Sequence, residues 1–301
     1  MPSRPSYRFD RPPTAGEMYR WAHIRHQHPR YRGIVVDLTF PSGWGGQKFH
    51  EWAFGHRAEV YTRGASATTT NIFRDDGRVR TNQGSAYTEG AGLVVYAPHT
   101  FLNNQHWTIT CDFERDPGSS KSGFTAAGIC PLSDVSSSGL SRIYNGPYSW
   151  NDTRTNGDIK SRGTTLISAS VVTGSLSEGP HIYTARKNAA NDHELLLDYT
   201  AYLTSSTTWP STHPFEDGLL DARYTLGFFH DDDPANNAES FADGFFRYAR
   251  WYARRLSNTE LRSLYEDPWL EYRPAKSWYF MPETVGPAAG LRTLQLTGVG
   301  I

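Results

Sequence analysis

One acidic run in this sequence has the residue types that a metal site needs. His230-Asp231-Asp232-Asp233 follows a strand-like segment and precedes Pro234, so its oxygens could bind Ca²⁺. Three adjacent aspartates cannot all face one ion, however. A solvated turn is therefore the favoured interpretation, with calcium binding as the alternative.

Three histidines near the N-terminus, His23, His26 and His28, have a spacing that is also found at metal sites. They lie in a segment rich in proline and arginine, with no cysteine or carboxylate cluster beside them. Solvated or interface histidines are the favoured interpretation. We expect neither a metal ion nor a cofactor.

Aromatic residues in polar loops are the candidates for sugar contacts. Asp152, Asn156 and Asp158 follow Trp150, whose ring could stack on a sugar, and Trp209 is a second such ring. Surface turns of Asn, Asp and Gly are commoner than sugar sites. A polar surface turn is therefore the favoured interpretation, with a sugar site as the alternative.

The sequence does not predict an active site. Retaining glycoside hydrolysis needs two carboxyl groups about 5 Å apart, and no Glu-x-Asp-x-x-Glu pattern occurs. The glutamates of the β segments stand alone: Glu178, Glu194, Glu216 and Glu239. Gly-x-Ser-x-Gly and glycine-rich phosphate motifs are absent as well. We expect no catalytic residues and no enzyme; a divergent polysaccharide hydrolase or lyase is the least favoured alternative.

Charge is balanced overall but not locally. The 301 residues carry a net charge of -1, which gives no field for nucleic acid. Residues 1–33 hold seven arginines against Asp10 and Glu17, a local charge of +5. Aromatic residues of the kind that anchor interfaces are interleaved with them: Tyr7, Phe9, Tyr19, Trp21 and Tyr31. Docking on an acidic protein is favoured over nucleic-acid binding.

No stretch reaches the roughly 18 apolar residues that a membrane span needs, and no apolar signal core follows the first charges. We expect a chain made in the host cytoplasm, without a membrane partner. Cys111 and Cys130 have neither metal-site nor disulfide-framework spacing, so both are expected to be small buried apolar residues.

Short strand-like runs predict an all-β fold. Gly and Pro are spread along the chain, and 14% of the residues are aromatic. The predicted strands are Ile34 to Leu38, Gly92 to Ala97, Trp107 to Phe113, Gly123 to Cys130, Thr164 to Val172, His181 to Arg186, Glu194 to Tyr199, Tyr224 to Phe229 and Gly244 to Arg254. So many strands with so little helix indicate a two-sheet sandwich.

The last predicted strand carries aromatic residues at both alternations, which indicates that it is covered on both faces. Simple alternation places Phe246, Tyr248 and Arg250 on one face and Ala249 and Trp251 on the other. Its arginines should reach the rim or pair with carboxylates.

Two helices are predicted from capping boxes. Ser257 and Glu260 form one, with Leu256 and Leu261 at hydrophobic-staple positions. That helix should bury Leu261, Leu264 and Tyr265 and should end before Pro268. Thr14 and Glu17 have the same spacing and predict a short helix near the N-terminus.

Four segments in the second half follow one another in a recognisable order. They are Gly179-Pro180-His181-Ile182-Tyr183-Thr184-Ala185-Arg186, His193-Glu194-Leu195-Leu196-Leu197-Asp198, Tyr224-Thr225-Leu226-Gly227, and the closing stretch from Phe241 to Leu261 with its Leu256-Ser257 and Glu260-Leu261. This order resembles the laminin-G-like jelly-roll domains of the concanavalin A-like lectin/glucanase superfamily. A helix continuing into Leu264-Tyr265-Glu266-Asp267-Pro268-Trp269 is similar to one often found in tailed-phage virion proteins. Two departures are Asp198-Tyr199, where Asp-Gly is usual, and the long insertion from Ala201 to Asp221.

The sequence thus predicts three regions: a basic arm with a short helix (1–33), an antiparallel jelly-roll sandwich with a short C-terminal helix (34–270), and a tail (271–301). With the resemblance, it predicts a non-enzymatic structural or accessory protein of a phage-like virion, either a capsid decoration protein or a fibre component. Its partners would be a major capsid or tail protein, reached through the arm and tail, and further copies of itself. A lectin that attaches to a host-surface glycan is the alternative.

Overall fold

Antiparallel strands dominate the computed structural model, which describes residues 13–19, 31–41, 49–64, 73–74, 77–83, 89–97, 106–116, 127–131, 142–147, 154–161, 164–172, 179–189, 191–208, 222–229, 240–269 and 272. In chain order the strands are β1 (Ile34–Thr39), β2 (Arg57–Arg63), β3 (Phe73–Arg74), β4 (Arg78–Gln83), β5 (Gly90–Ala97), β6 (Trp107–Arg115), β7 (Ala127–Pro131), β8 (Arg142–Pro147), β9 (Arg154–Ser161), β10 (Thr164–Val172), β11 (His181–Ala189), β12 (Asp192–Leu197), β13 (Thr200–Ser205), β14 (Ala222–Leu226), β15 (Phe228–Phe229), β16 (Ser240–Phe241) and β17 (Gly244–Tyr252). Helix α1 includes residues 15–19, and helix α2 is Asn258–Glu266.

The first sheet is built around β17. On one side of β17 lie β6, β11, β12 and β13, in that order. On its other side two strands share the edge: β4 pairs with the first half of β17, and β1 pairs with the second half.

The second sheet is built around β5. Strand β2 pairs with one edge of β5, and β14, β7, β8, β9 and β10 follow from the other edge. The last two residues of β4 also pair with β5, so β4 passes from the first sheet into the second. The chain is therefore an all-β, two-sheet antiparallel sandwich, as the sequence predicts.

The main core lies between the sheets because alternate side chains of both sheets point inward. Trp107 and Cys111 contribute from the first sheet, and Leu93 and Val95 from the second. Cys111 is a buried free thiol, as expected. Its burial and then the neighbouring Asp112 charge raise its pKa.

Each predicted strand falls on an observed one, but several observed strands carry no apolar signal. Gly227, at φ +78°, interrupts the predicted run from Tyr224 to Phe229 and separates β14 from β15. Strands β2, β4, β8, β9 and β13 are not predicted from the sequence because each has at most two large apolar or aromatic residues. Strand β13 lies inside the segment interpreted as an insertion.

A β-bulge in β17 overturns one predicted face. The register shifts between Phe246 and Tyr248, and the extra residue reverses the alternation. Phe246 therefore packs with Ala249 and Trp251 between the sheets, whereas Tyr248 packs on the outer face of the first sheet. The prediction that β17 is covered on both faces is confirmed, since all nine of its residues are buried.

Helix α2 covers the outer face of the first sheet. Its capping box is formed as predicted: the Ser257 hydroxyl accepts from the Glu260 amide, and the Glu260 carboxylate accepts from the Ser257 amide. Leu261 and Leu264 are buried, while Tyr265 is only half-buried. The same cluster includes residues far away in sequence: Met18, Tyr31, Trp52, Ile182, Leu196, Tyr248 and Tyr272.

Between the first sheet and this cover lies a set of buried charges, which we call the ionic layer: Asp37, Asp112, Arg247 and Arg250. Arg247 forms a bidentate pair with Asp112, with N···O distances of 2.9 Å from Nε to Oδ1 and 2.6 Å from Nη2 to Oδ2. Arg250 lies 3.2 Å from Asp37, and neither side chain is exposed. The Tyr272 hydroxyl donates to the second oxygen of Asp37. The expectation that the β17 arginines pair with carboxylates is confirmed here.

Asp112→Asn should destabilise the fold strongly. The substitution keeps the shape but leaves the buried Arg247 guanidinium without a counter-charge, which costs about 3 to 5 kcal/mol when one partner of a buried pair is lost. Urea unfolding measures this difference. The matched control is Arg262→Ala, which removes the exposed pair with Glu266 and should cost less than about 1 kcal/mol. Equal losses in the two variants would contradict a stabilising ionic layer.

Candidate binding surface

A single buried carboxylate holds the turn that precedes strand β2. Glu51 is 1% exposed. Its Oε1 accepts from the amides of Asp37 (2.8 Å) and Ala53 (2.7 Å), and its Oε2 from those of Phe54 (2.9 Å) and His56 (3.2 Å). Four backbone donors thus share one side chain, so the turn is fixed on strand β1 before any ligand arrives.

Trp52 also holds this turn, through two hydrogen bonds to strand β1. Its amide donates to the Asp37 carbonyl, and its indole Nε1 donates to the Thr39 carbonyl, both at 2.9 Å. The indole ring lies 6.0 Å from the ring of Tyr272. The turn therefore contacts both the edge of the first sheet and the C-terminal segment.

Two large aromatic side chains are exposed at or beside this turn. Phe54 is 68% exposed and Tyr19, from helix α1, is 53% exposed. Each lies beside an imidazole: Tyr19 is 5.6 Å from His50, and Phe54 is 5.8 Å from His56. We call these four residues the aromatic surface. Exposed rings on a rigid turn can stack on a flat ligand or anchor a protein contact, because little conformational entropy is lost on binding.

The turn between β12 and β13 contains Asp198 and Tyr199, at the place where the resemblance led us to expect Asp-Gly. Asp198 (φ 48°) and Tyr199 (φ 61°) both adopt the left-handed conformation that usually favours glycine. The Asp198 carboxylate accepts from the Ile182 amide at 3.0 Å and lies 2.7 Å from His181 Nδ1. The Tyr199 ring packs edge-on against Tyr265 of α2 at 5.8 Å. Tyr199 thus adopts a conformation that usually favours glycine, and its ring gains a contact with helix α2.

A row of paired residues crosses the first sheet at one end and includes two buried titratable groups. Lys187 on β11 is paired in register with Trp107 on β6 and with His193 on β12, and His193 is paired with Ser205 on β13. Lys187 is 4% exposed and His193 is fully buried. The His193 Nε2 atom lies 3.1 Å from the Thr207 carbonyl.

Burial perturbs both titratable groups of this row. It lowers the pKa of Lys187 to about 8. It also lowers the pKa of His193 to about 4. The hydrogen bond to Thr207 opposes this shift, whereas the nearby Lys187 charge adds to it. At neutral pH the row therefore holds one cation beside a neutral imidazole.

The candidates proposed from sequence fall mainly outside the described residues. Those outside are His23, His26, His28, Trp150, Asp152, Glu178, Trp209, Glu216, the run His230 to Asp233 and Glu239. Asn156 and Asp158 belong to strand β9 and not to a loop, so the polar-loop interpretation was wrong for them. Glu194 pairs with Arg186. Cys130 lies on β7, and its side chain is outside the described set.

Within the described ranges, no three His, Cys, Asp or Glu side chains come together in a way that could hold a metal ion. Neither helix in that part of the chain is long and apolar enough to cross a lipid bilayer.

The sequence analysis did not find Glu51 or Phe54. Glu51 binds backbone amides, which every residue type offers, so no pattern of side chains could reveal it. A tryptophan-containing turn ending in Gly55 (φ +74°) is the one local signal.

Comparison with known proteins identifies no family. No family model matches the chain, and no curated protein matches it.

Comparison with solved structures supports the fold. A mutant of Trypanosoma rangeli sialidase displaying trans-sialidase activity is similar over 84% of this chain and 38% of its own, with 15% identity and a TM-score of 0.54. The same sialidase in complex with sialic acid is similar over 79% and 33%, with 14% identity and a TM-score of 0.53. This chain thus spans less than two fifths of those sialidase chains. The binding domain of botulinum neurotoxin DC gives 0.47 at 9% identity, over 77% of this chain and 51% of its own, a score that does not establish a shared fold.

Because of His193, we expect the free energy of unfolding to fall in mild acid. His193 titrates near 6.5 when unfolded and near 4 when folded, so the unfolded chain binds more protons between these values. The free energy of unfolding should therefore fall by roughly 2 to 3 kcal/mol as pH drops from about 6.5 to about 4. His193→Gln should flatten this slope in urea unfolding, whereas His106→Gln, at an exposed position, should not. A slope unchanged in His193→Gln would contradict the assignment.

Proposed function

We propose that this chain is a non-enzymatic structural or accessory protein of a phage-like virion, a capsid decoration protein or a fibre component. The observation that carries the proposal is that described residues from before β1 and from after α2 meet on one face of the sandwich. Tyr31, before β1, and Tyr272, after α2, meet edge-on with ring centroids 6.5 Å apart. Met18 of helix α1 packs in the same cluster.

This convergence suits a module that is attached from one side. The exposed rings Tyr19 and Phe54 lie on the side where Tyr31 and Tyr272 meet, and residues 1–33 carry a net charge of +5. A capsid or tail protein with an acidic, partly apolar surface would bind there. The second sheet, on the opposite side of the sandwich, would then face outward. The resemblance to domains of tailed-phage virion proteins points the same way.

The first test is the copy number of the chain in purified particles. Quantitative mass spectrometry of particles from the producing cells should find the chain at a fixed ratio to the most abundant shell protein. A ratio near one, or a simple lattice fraction, indicates capsid decoration, whereas a few copies per particle indicate a fibre or tail component. Absence of the chain from washed particles would overturn the proposal.

A lectin function is the second candidate, favoured by the presentation of Phe54. Its ring is 68% exposed and stands on the turn that Glu51 fixes. Sugar rings stack on such apolar faces, and a fixed ring loses little entropy when they do. Sialidase chains share a similar fold over part of their length, one of them in complex with sialic acid, so sialylated glycans are reasonable first probes.

Phe54→Ala should weaken glycan binding if this surface is a sugar site. Loss of one stacking ring costs about 1 to 1.5 kcal/mol, which is roughly tenfold in Kd. Binding to an array that includes sialylated and neutral oligosaccharides measures this. Phe54→Trp keeps an aromatic face and should retain binding. Equal binding by the alanine variant, or none by the native chain, would rule out a lectin site here.

A further inference from the structure

We propose that strand β2 is a self-association edge, where a second copy of this chain adds its own β2 in antiparallel orientation. The two-fold axis would pass beside Tyr61, and the second sheets of both copies would become one continuous sheet. The inference concerns how copies of the chain assemble and does not depend on the virion proposal.

Strand β2 has the position and the exposure that such pairing needs. Among the described strands it pairs with β5, along its whole length from Arg57 to Arg63. None of its seven residues is buried. The edge of β1, by contrast, is covered: the Asp37 amide donates to Glu51, and the Asp37 carbonyl accepts from Trp52. Open edges are where sheets extend by strand addition.

The sequence of β2 is complementary to itself. Antiparallel pairing about Tyr61 sets Glu59 of each copy opposite Arg63 of the other, which gives two opposite-charge pairs. Val60 then lies opposite Thr62, both β-branched, and the two tyrosines meet at the axis. Each opposed pair is of a kind that favours cross-strand contact.

The faces of the strand also agree with this pairing. Val60 packs against the core between the sheets, so Glu59, Tyr61 and Arg63 share the outer face. The Glu59 carboxylate is already oriented there, since it accepts from the Tyr96 hydroxyl at 2.8 Å and from Arg57 at 2.6 Å. Directly opposed residues in a sheet share a face, so both copies would present the same outer surface.

The other long edge strands of the described sheets lack this pattern. Strands β10 and β13, the last strands of the two sheets, contain no charged residue. They also contact each other at that side of the sandwich. Charge complementarity therefore selects β2.

Charge exchange tests the proposal on the full-length chain. Sedimentation velocity over a wide concentration range should show a dimer for the native protein. Glu59→Arg and Arg63→Glu each replace two attractive pairs with two repulsive ones, so each should raise the dimer Kd roughly tenfold or more. Circular dichroism checks that each variant is folded.

Mixing separates this pairing from general destabilisation. Glu59→Arg mixed with Arg63→Glu should form a heterodimer in native mass spectrometry, because each charge again meets its opposite. The double variant E59R/R63E should form a homodimer. Arg262→Glu is the control for net charge, since it makes the same charge change on the exposed side of helix α2, away from β2, and should leave the Kd unchanged.

Three results would overturn the proposal: a native chain that stays monomeric at every concentration, a dimer that Glu59→Arg leaves intact, or single variants that do not pair when mixed. Weakening by Arg262→Glu equal to that by Arg63→Glu would also overturn it, because the effect would then follow net charge and not the pairing of β2.

Discussion

The neutralisation of two arginine charges beneath helix α2 is the constraint on which the rest of the structure depends. Arg247 and Arg250 belong to the central strand β17 and are removed from water. Burial of a guanidinium is costly unless a carboxylate and further acceptors surround it. Asp112 on β6 and Asp37 on β1 supply the carboxylates, so the ionic layer ties three neighbouring strands together.

The ionic layer also holds the residues that follow helix α2. Arg250 donates to the Pro268 carbonyl at 2.8 Å, and Asp37 accepts from the Tyr272 hydroxyl. The C-terminal segment is thereby held over β1, where it meets Tyr31 and Trp52. A face that could have remained polar and solvated is instead a second interior. This interior brings Met18, Tyr31 and Tyr272 together on one side of the sandwich.

The sandwich therefore has two chemically different outsides. The first sheet is covered by helix α2 and the residues that pack with it. On the same side Glu51 holds a rigid turn from which Phe54 projects. On the second sheet the edge strand β2 pairs, among the described strands, with β5, and it carries charges of both signs. Docking through rings on one side and extension through backbone on the other are compatible, because the two surfaces use different strands.

Local sequence determined the elements with strong periodic or capping signals. The apolar alternation of β6 and the capping box of Ser257 and Glu260 are properties of neighbouring residues, so they could be predicted from the sequence, as could the all-β class. Polar strands such as β9 could not, because a strand held by its neighbours on both sides needs no apolar alternation of its own. The bulge at Phe246 is also invisible locally.

The candidate surface was decided by tertiary structure alone. Glu51 acts through backbone amides, and Asp37 and Arg250 meet across 213 positions of sequence. Their pairing is fixed only when β1 joins β17. Sequence determines which residues can carry charge or stack; the fold decides which of them water reaches, because burial is a property of the whole packed chain.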